Sequence, residues 1–305
     1  MANEIPVKSA DVPSERSYRL PQNTSLGRVI LQVADLDRSL AYYTNVLGFR
    51  AIPGRDRTAS LTPNGEDSVL IELRERRGVS PTPHHGRLGL YHYAILLPDR
   101  AALGRFVAHL ATLNERAGAS DHFVSEALYL RDPDGIGIEV YADRPRSAWR
   151  YTDGEMEMTT KPLDLADLVR AAGGERWTGM QPGTRIGHVH LHVGDLRDAA
   201  AFYQRGLGFD VMVSSYPGAL FLSAGGYHHH LGTNTWAKGA PPATDDEARL
   251  LEWTVQVPTE ADADAAARSL HASGYDASRS DDGWTVVDPW GTPLRITANS
   301  ATRRD

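Results

Sequence analysis

Several histidines and a glutamate that could bind a metal ion lie in stretches where polar and apolar residues alternate. The stretch "HVHLHV" places His188, His190 and His192 on one face of a predicted strand, because successive side chains of a strand point to opposite faces. His92 in "YHYAILL" and Glu139 in "GIGIEVY" likewise lie opposite apolar neighbours. Two neutral imidazoles and one carboxylate on one side of a metal form the facial triad that binds ferrous iron and leaves positions open.

A single histidine or glutamate on a strand is more often a solvated or hydrogen-bonded side chain than a metal ligand. The hypothesis of a metal site therefore depends on several such residues coming together. The chain has no cysteine, which excludes disulfides, thiolate catalysis and cysteine-ligated metals and is typical of a cytoplasmic protein. Any metal must then be bound by histidine, aspartate or glutamate.

Length, charge and hydropathy restrict the class of protein further. The 305 residues suggest two domains, and no run of apolar residues is long enough for a membrane span. The net charge is −7 and no stretch is strongly basic, which argues against nucleic acid and anionic membranes as partners. A small-molecule ligand remains the expected partner.

A repeat with a constant offset of 160 residues indicates how the polar side chains are positioned. The segment "RVILQVADLDRSLAYYTNVLGF" (28 to 49) matches "HVHLHVGDLRDAAAFYQRGLGF" (188 to 209). In each copy an alternating strand leads through Asp35 or Asp195, a plausible N-cap, into an amphipathic helix that ends at the glycine of "LGF". A second strand and helix follow in each copy. The pattern predicts an α+β protein of four β-α-β-β-β units, near residues 26 to 76, 88 to 143, 186 to 236 and 250 to 298.

These units define the predicted domain organisation. Between the second and third units lies a connection with one helix, expected to begin at Pro162 and to end at Gly173. The predicted boundaries are a polar N-terminal tail (1–25), a first domain (26–143), the interdomain connection (144–184), a second domain (185–298) and a C-terminal tail (299–305).

The two copies also serve as an internal control, because residues needed only for folding should be similar in both. Three candidate metal ligands face a different residue type in the other copy: His188 faces Arg28, His92 faces Glu252, and Glu139 faces Arg295. The candidate ligands come from the second and third units, so the site should form across the middle of the chain or between subunits that exchange units. A homo-oligomer is expected. The first and fourth units should form a metal-free counterpart whose charges pair.

The residues now resemble a known family. The units with "DL...YY..VLGF" are similar to the vicinal oxygen chelate (VOC) superfamily, which implies two tandem glyoxalase/extradiol dioxygenase-type domains. "HFVSEALYLRDPDGIGIE" (122 to 139) is similar to the extradiol dioxygenase signature, with Ser120 as a departure. "YHYAILLPDR", "GHVHL" and "GGYHHH" further resemble two-domain catechol 2,3-dioxygenases, and the resemblance covers residues 26 to 298.

The resemblance implies a role for each candidate. Its metal ligands fall on His188, His92 and Glu139, its acid-base histidine on His230 or His229, and its substrate-binding pair on His122 and Tyr129. His230 is preferred over His229 because it lies 160 residues after Leu70, but a shift of one residue in register would reverse the choice. In the best-known two-domain enzymes all these groups lie in the C-terminal half. This sequence departs from that arrangement, because its candidates come from units two and three.

The implied activity is the extradiol cleavage of a catechol by O2 to a 2-hydroxymuconic semialdehyde in aromatic compound catabolism. The implied cofactor is Fe(II), with Mn(II) as the alternative metal. Two other functions are open: a glyoxalase-like isomerase or lyase, which typically needs a second carboxylate ligand, and a resistance protein that binds an aromatic drug without catalysis. Tyr216, Phe221 and Trp236 are candidates for the wall of the binding site, although aromatic residues on such strands more often belong to the core.

Overall fold

The computed structural model describes residues 18–83 and 86–299, and most of the two predicted tails lies outside these ranges. The first unit contains β1 (Ser25–Val33), α1 (Leu36–Asn45), β2 (Arg50–Pro53), β3 (Thr58–Thr62) and β4 (Ile71–Glu75). The second contains β5 (Gly89–Leu96), α2 (Arg100–Thr112), β6 (Gly118–Asp121), β7 (Ser125–Arg131) and β8 (Gly137–Asp143). The connection contains a short 3₁₀ helix (Arg146–Ala148), β9 (Tyr151–Thr152), β10 (Glu155–Met156) and α3 (Leu165–Ala171).

The second copy has the same order of elements. The third unit contains β11 (Arg185–His192), α4 (Leu196–Ala199), which continues as a π-helix (Ala200–Gly206), β12 (Asp210–Val213), β13 (Ala219–Ser223) and β14 (Leu231–Asn234). The fourth contains β15 (Arg249–Val257), α5 (Glu260–Ala272), β16 (Ser278–Ser280), β17 (Gly283–Val287) and β18 (Pro293–Ala298). The predicted class, α+β with four β-α-β-β-β units, is confirmed. None of the described helices is long and apolar enough to cross a membrane.

Two eight-stranded sheets are each formed by two units from different copies. The first has the order β16-β17-β18-β15-β1-β4-β3-β2 and combines units one and four. The second has the order β12-β13-β14-β11-β5-β8-β7-β6 and combines units two and three. The central pairs, β1 with β15 and β11 with β5, are antiparallel. The units that carry the candidate ligands thus share one sheet within a single chain.

The alternating strands bury their apolar faces in a continuous core to which both sheets and the helices contribute. Both predicted N-caps are confirmed, since the carboxylate of Asp35 accepts the N–H of Arg38 at 3.0 Å and that of Asp195 accepts the N–H of Arg197 at 2.7 Å. Leu20, which falls within the predicted tail, is buried in the core, and its N–H donates to the carbonyl of Gly208 at 2.9 Å.

The helix of the connection begins later than the sequence predicts. It starts at Leu165 rather than at Pro162, because the side chain of Asp164 accepts the N–H of Asp167 at 2.9 Å and acts as the N-cap. Gly173 follows the helix with a positive φ of 63°, which a glycine adopts without strain. The proline therefore precedes the helix instead of opening it.

An aspartate holds the turn before the last strand of the second unit. Oδ1 of Asp132 accepts the N–H groups of Asp134 and Ile136, both at 2.9 Å, and the hydroxyl of Tyr43 donates to Oδ2 at 3.2 Å. In the other copy Asp288 accepts two N–H groups of its own turn at 2.9 and 2.7 Å. This aspartate of the predicted signature is a structural residue, because both copies use it in the same way.

The stability of the protein should depend on the ionisation of Asp132. Burial raises the pKa of Asp132 from 3.8 to about 7. The folded protein then binds this proton more tightly than the unfolded chain, so the stabilisation is complete below about pH 4 and is lost as the pH rises to about 7. Asp132→Asn removes this dependence. Relative to wild type, its free energy of unfolding should increase between these pH values by up to about 4 kcal/mol.

Urea unfolding at a series of pH values measures this difference. Asp288→Asn is the matched variant, because burial raises the pKa of Asp288 in the same direction. A difference between Asp132→Asn and wild type that stays constant across the window would contradict the prediction.

Candidate metal centre and active site

Three neighbouring strands of the second sheet bring the predicted metal ligands together. His188 lies on β11, His92 on the adjacent β5 and Glu139 on β8, which follows β5. Oε2 of Glu139 lies 3.0 Å from Nε2 of His92 and 3.1 Å from Nε2 of His188. One ligand atom from each residue lies within 4.8 Å of the others. All three residues are at most 5% exposed.

The surroundings place these groups in the protonation states that a metal requires. Burial lowers the pKa of His92 and of His188 below the usual value, which favours neutral imidazoles. Burial would raise the pKa of Glu139, but the neighbouring His188 and His92 outweigh it and hold that pKa well below its usual range. The site therefore presents two nitrogen lone pairs and one carboxylate.

These residues fit a divalent metal of the kind that a facial triad binds. Nε2 of His92 is fully buried and has no hydrogen-bond partner of acceptable geometry among the described residues, although a buried polar atom normally has one. A metal ion would satisfy this nitrogen. Imidazole and carboxylate ligands without thiolate suit Fe(II) or Mn(II) and leave one side of the metal open.

A cavity of about 320 Å³ adjoins the three ligands. Its wall includes five Tyr, Phe and Trp side chains: Tyr91, Tyr129, Tyr216, Phe221 and Trp236. Its polar wall, apart from the ligands, includes Ser120, His122, Tyr129, His190 and His229. The volume is at the lower end of the range for small-molecule sites. The three aromatic residues considered from the sequence thus line this cavity.

The histidine triplet differs from the preferred prediction. His229 lines the cavity, and its ring centroid lies 4.0 Å from that of His188. His230 does not line it; its Nδ1 accepts the N–H of Ala224 at 3.2 Å and lies 2.9 Å from Oγ of Ser223. Burial lowers the pKa of His230 to about 3 and also lowers the pKa of His229 well below its usual value, so the pKa does not distinguish the two. The position favours His229 for acid-base chemistry, which reverses the preference drawn from the repeat.

The predicted substrate-binding pair is already joined by a hydrogen bond. Nε2 of His122 lies 2.6 Å from the hydroxyl of Tyr129, and Nδ1 lies 2.6 Å from the carbonyl oxygen of Thr159. A carbonyl only accepts, so Nδ1 of His122 carries a proton and, in the neutral ring, Nε2 accepts from Tyr129. Burial raises the pKa of Tyr129 well above its usual value, so its hydroxyl keeps its proton.

Comparison with known proteins places the chain in a family. The model of the Glyoxalase/Bleomycin resistance protein/Dioxygenase superfamily matches residues 25–140 and 185–291. The chain belongs to this superfamily. A catechol-2,3-dioxygenase of Bacillus subtilis (strain 168) is 46% identical over 272 residues, which is 88% of this chain and 95% of that protein. The predicted family of two-domain extradiol dioxygenases is confirmed, and with it the class of enzyme, a ring-cleavage oxidoreductase.

Solved structures of low sequence identity share the fold of this superfamily member. The crystal structure of a Bacillus subtilis protein is 12% identical and aligns with a TM-score of 0.62 over 92% of this chain and 86% of its own. Glyoxalase I from Zea mays is 17% identical and aligns with a TM-score of 0.54 over 91% of this chain and 93% of its own. The same framework thus occurs in a glyoxalase and in a structure described as that of a putative dioxygenase, so the fold alone does not distinguish these activities.

The first sheet contains an ion pair where the second contains the candidate metal ligands. Thr254 pairs with Arg295 across parallel strands, as Ala94 pairs with Glu139. The guanidinium of Arg295 forms two hydrogen bonds to the carboxylate of Glu252, at 2.7 and 2.9 Å. Two of the predicted charges therefore pair with each other.

The third charge of that counterpart has a different partner. Nη1 of Arg28 lies 3.5 Å from the carboxylate of Glu72. Glu72 is an acid of the first sheet and is therefore not available as a second carboxylate at the triad.

Part of the cavity wall comes from the interdomain connection, for which the sequence predicts only a linker with one helix. Met158, Thr159 and Thr160 line the cavity, and the hydroxyl of Thr160 lies 3.1 Å from that of Tyr216. The carboxylate of Glu155 accepts hydrogen bonds from the residues before Tyr216 and fixes this segment against the third unit. No periodic pattern marks these residues, so no sequence signal could have assigned them.

Proposed function

We propose that this protein is a non-heme Fe(II) dioxygenase that cleaves a catechol with O2 beside the two hydroxyl groups and produces a 2-hydroxymuconic semialdehyde. The observation that carries the proposal is the buried triad of His92, Glu139 and His188 at the wall of a small aromatic cavity that also contains His229. The identity of 46% to a catechol-2,3-dioxygenase supports the substrate class. The reaction would serve the catabolism of aromatic compounds in the cytoplasm.

The cavity suits a flat aromatic diol. Phe221 and Tyr91 can contact the ring, and Trp236, which is partly exposed, lies at the wall toward solvent. When bound, Fe(II) would lower the pKa of a coordinated hydroxyl and hold the diol beside O2. Mn(II) would be bound by the same ligands.

His229 is the residue that we assign to proton transfer. It lies in the cavity wall in contact with the ring of His188, whereas His230 lies outside. Its Nδ1 is used in a hydrogen bond to His228 at 2.7 Å, which leaves Nε2 for the substrate. Nε2 would accept the proton of a diol hydroxyl and would return a proton in a later step of the reaction.

Tyr129 is the group that we assign to hydrogen bonding with a substrate oxygen. Its hydroxyl keeps its proton, which it donates to Nε2 of His122 at 2.6 Å and would donate instead to a substrate oxygen once the substrate is bound. The neutral ring of His122 cannot donate from Nε2, because its proton is on Nδ1. This pair would stabilise negative charge that develops on the substrate.

The glyoxalase-like alternative lacks support at the site. That chemistry typically uses a second carboxylate ligand, but Glu139 is the one carboxylate in the described wall of the cavity. Glu72 lies in the other sheet and pairs with Arg28 and Arg74. Binding of a drug without a metal would leave the convergence of two buried histidines and one buried carboxylate unexplained.

Reconstitution with metal tests the proposed activity. The protein is loaded with Fe(II) without oxygen, given catechol and exposed to air, and O2 uptake and absorbance of the ring-cleavage product are recorded. We expect uptake of O2 and formation of the semialdehyde, with none from a Zn(II)-loaded sample because Zn(II) has no redox chemistry. Cleavage between the two hydroxyls, or no product with either Fe(II) or Mn(II), would refute the proposal.

A further inference from the structure

A chain of hydrogen bonds leads from His229 away from the cavity. Nδ1 of His229 lies 2.7 Å from Nδ1 of His228. Nε2 of His228 lies 2.9 Å from Oδ1 of Asp143, the last residue of β8. His228 is fully buried and His229 is 5% exposed, whereas the side chain of Asp143 is 24% exposed. The chain thus connects the cavity wall to a carboxylate near solvent.

The direction of each hydrogen bond follows from the carboxylate. An ionised carboxylate only accepts, so Nε2 of His228 must carry a proton. In a neutral imidazole the other nitrogen then has a lone pair, so Nδ1 of His228 accepts from His229. With His228 neutral, His229 is therefore protonated at Nδ1 and unprotonated at Nε2. This is the tautomer that a base facing the cavity requires.

Two tyrosines keep Asp143 in this role. The hydroxyl of Tyr227 donates to Oδ1 of Asp143 at 3.1 Å. The hydroxyl of Tyr141 lies 2.7 Å from that of Tyr227 and, because Tyr227 uses its proton on Asp143, Tyr141 donates to it. Both tyrosines are buried. The carboxylate is thereby held in position by two donors, His228 and Tyr227.

We infer that His228 and Asp143 are positioning residues that hold His229 in the tautomer with an unprotonated Nε2 in the cavity. This inference rests on the proposed function, because it concerns the tautomer in which His229 begins the proposed reaction. The arrangement is similar to a catalytic triad, in which an acid orients the imidazole of the base. Here a second imidazole, that of His228, lies between the acid and the base. Without the carboxylate, either tautomer of His229 could form.

The tautomer can be measured directly. The full chain is labelled with ¹⁵N in histidine and loaded with diamagnetic Zn(II), and long-range ¹H–¹⁵N correlations distinguish protonated from unprotonated ring nitrogens. The signals of His229 are identified by their absence in His229→Gln. In wild type we expect His229 to be protonated at Nδ1. In Asp143→Asn the amide can donate to His228, so a large fraction of His229 should become protonated at Nε2.

The kinetic consequence is measured on the Fe(II) enzyme with catechol. Asp143→Asn should lower kcat by up to the roughly 10²- to 10⁴-fold contribution of a general base, with little change in KM. Asp143→Glu retains the carboxylate and should restore the tautomer and part of kcat. Asp281→Asn, the same chemical change at an exposed position, is the matched control and should match wild type in both measurements.

If Asp143→Asn does not fold, His228→Phe tests the same inference, because it keeps a ring at this position and removes both hydrogen bonds. Wild-type His229 protonated at Nε2, or the same tautomer in wild type and both variants, would overturn the inference. In a third outcome, the tautomer differs between wild type and the variants as expected while the wild-type protein cleaves no ring. That result would support the positioning role and refute the proposed function.

Discussion

Glu139→Gln is expected to remove metal binding at the triad and with it the activity. The carboxylate is the anionic member of the three ligands, and its Oε2 lies within 3.1 Å of both His92 and His188. A neutral amide provides a weaker ligand and no charge to balance the metal. The loss of Fe(II) affinity should exceed the roughly 10- to 100-fold loss that is typical when a residue hydrogen-bonded to a metal ligand is replaced. Anaerobic titration with Fe(II) against a competing chelator measures it.

Glu252→Gln is the matched control, because Glu252 belongs to the equivalent part of the metal-free sheet. There the carboxylate pairs with Arg295, and the amide oxygen can keep one of the two hydrogen bonds. We expect Fe(II) affinity and kcat close to wild type. Normal Fe(II) affinity in Glu139→Gln, or loss of the metal in Glu252→Gln, would show that the metal is not bound by the triad.

His229→Gln should lower kcat about 10²- to 10⁴-fold, the usual contribution of a general acid-base group. The side chain lies in the cavity wall but is not one of the three ligands, so Fe(II) affinity should be nearly unchanged. Steady-state kinetics with catechol, together with the Fe(II) titration, separates the two effects. His230→Gln should keep most of kcat, because His230 bonds Ser223 and Ala224 outside the cavity.

Because His230 is buried, its replacement should lower thermal stability without the kinetic defect of His229→Gln. Melting curves of both variants check this. A large loss of kcat in His230→Gln while His229→Gln stays active would restore the assignment that the repeat favoured.

Much of the fold could be predicted because its signals are local or repeated. Alternating side chains mark the strands, Asp35 and Asp195 mark the helix starts, and the constant offset shows the duplication. The same duplication separated Glu139 from its counterpart Arg295, and the structure shows these two in equivalent registers. The sequence did not predict that residues of the connection line the cavity. Met158 and its neighbours have no periodic pattern and reach the cavity only through tertiary packing.

The sequence by itself determined which residue types could bind a metal, the order of the units and the faces of regular strands. Only the tertiary structure decided that units two and three share a sheet, because strand pairing depends on long-range contacts that a local pattern does not contain. It also decided between His229 and His230. The triplet precedes β14 and follows Gly225 and Gly226, both at positive φ, so the alternation that holds within a strand does not extend to it. A count of residues therefore could not give the orientation of these side chains.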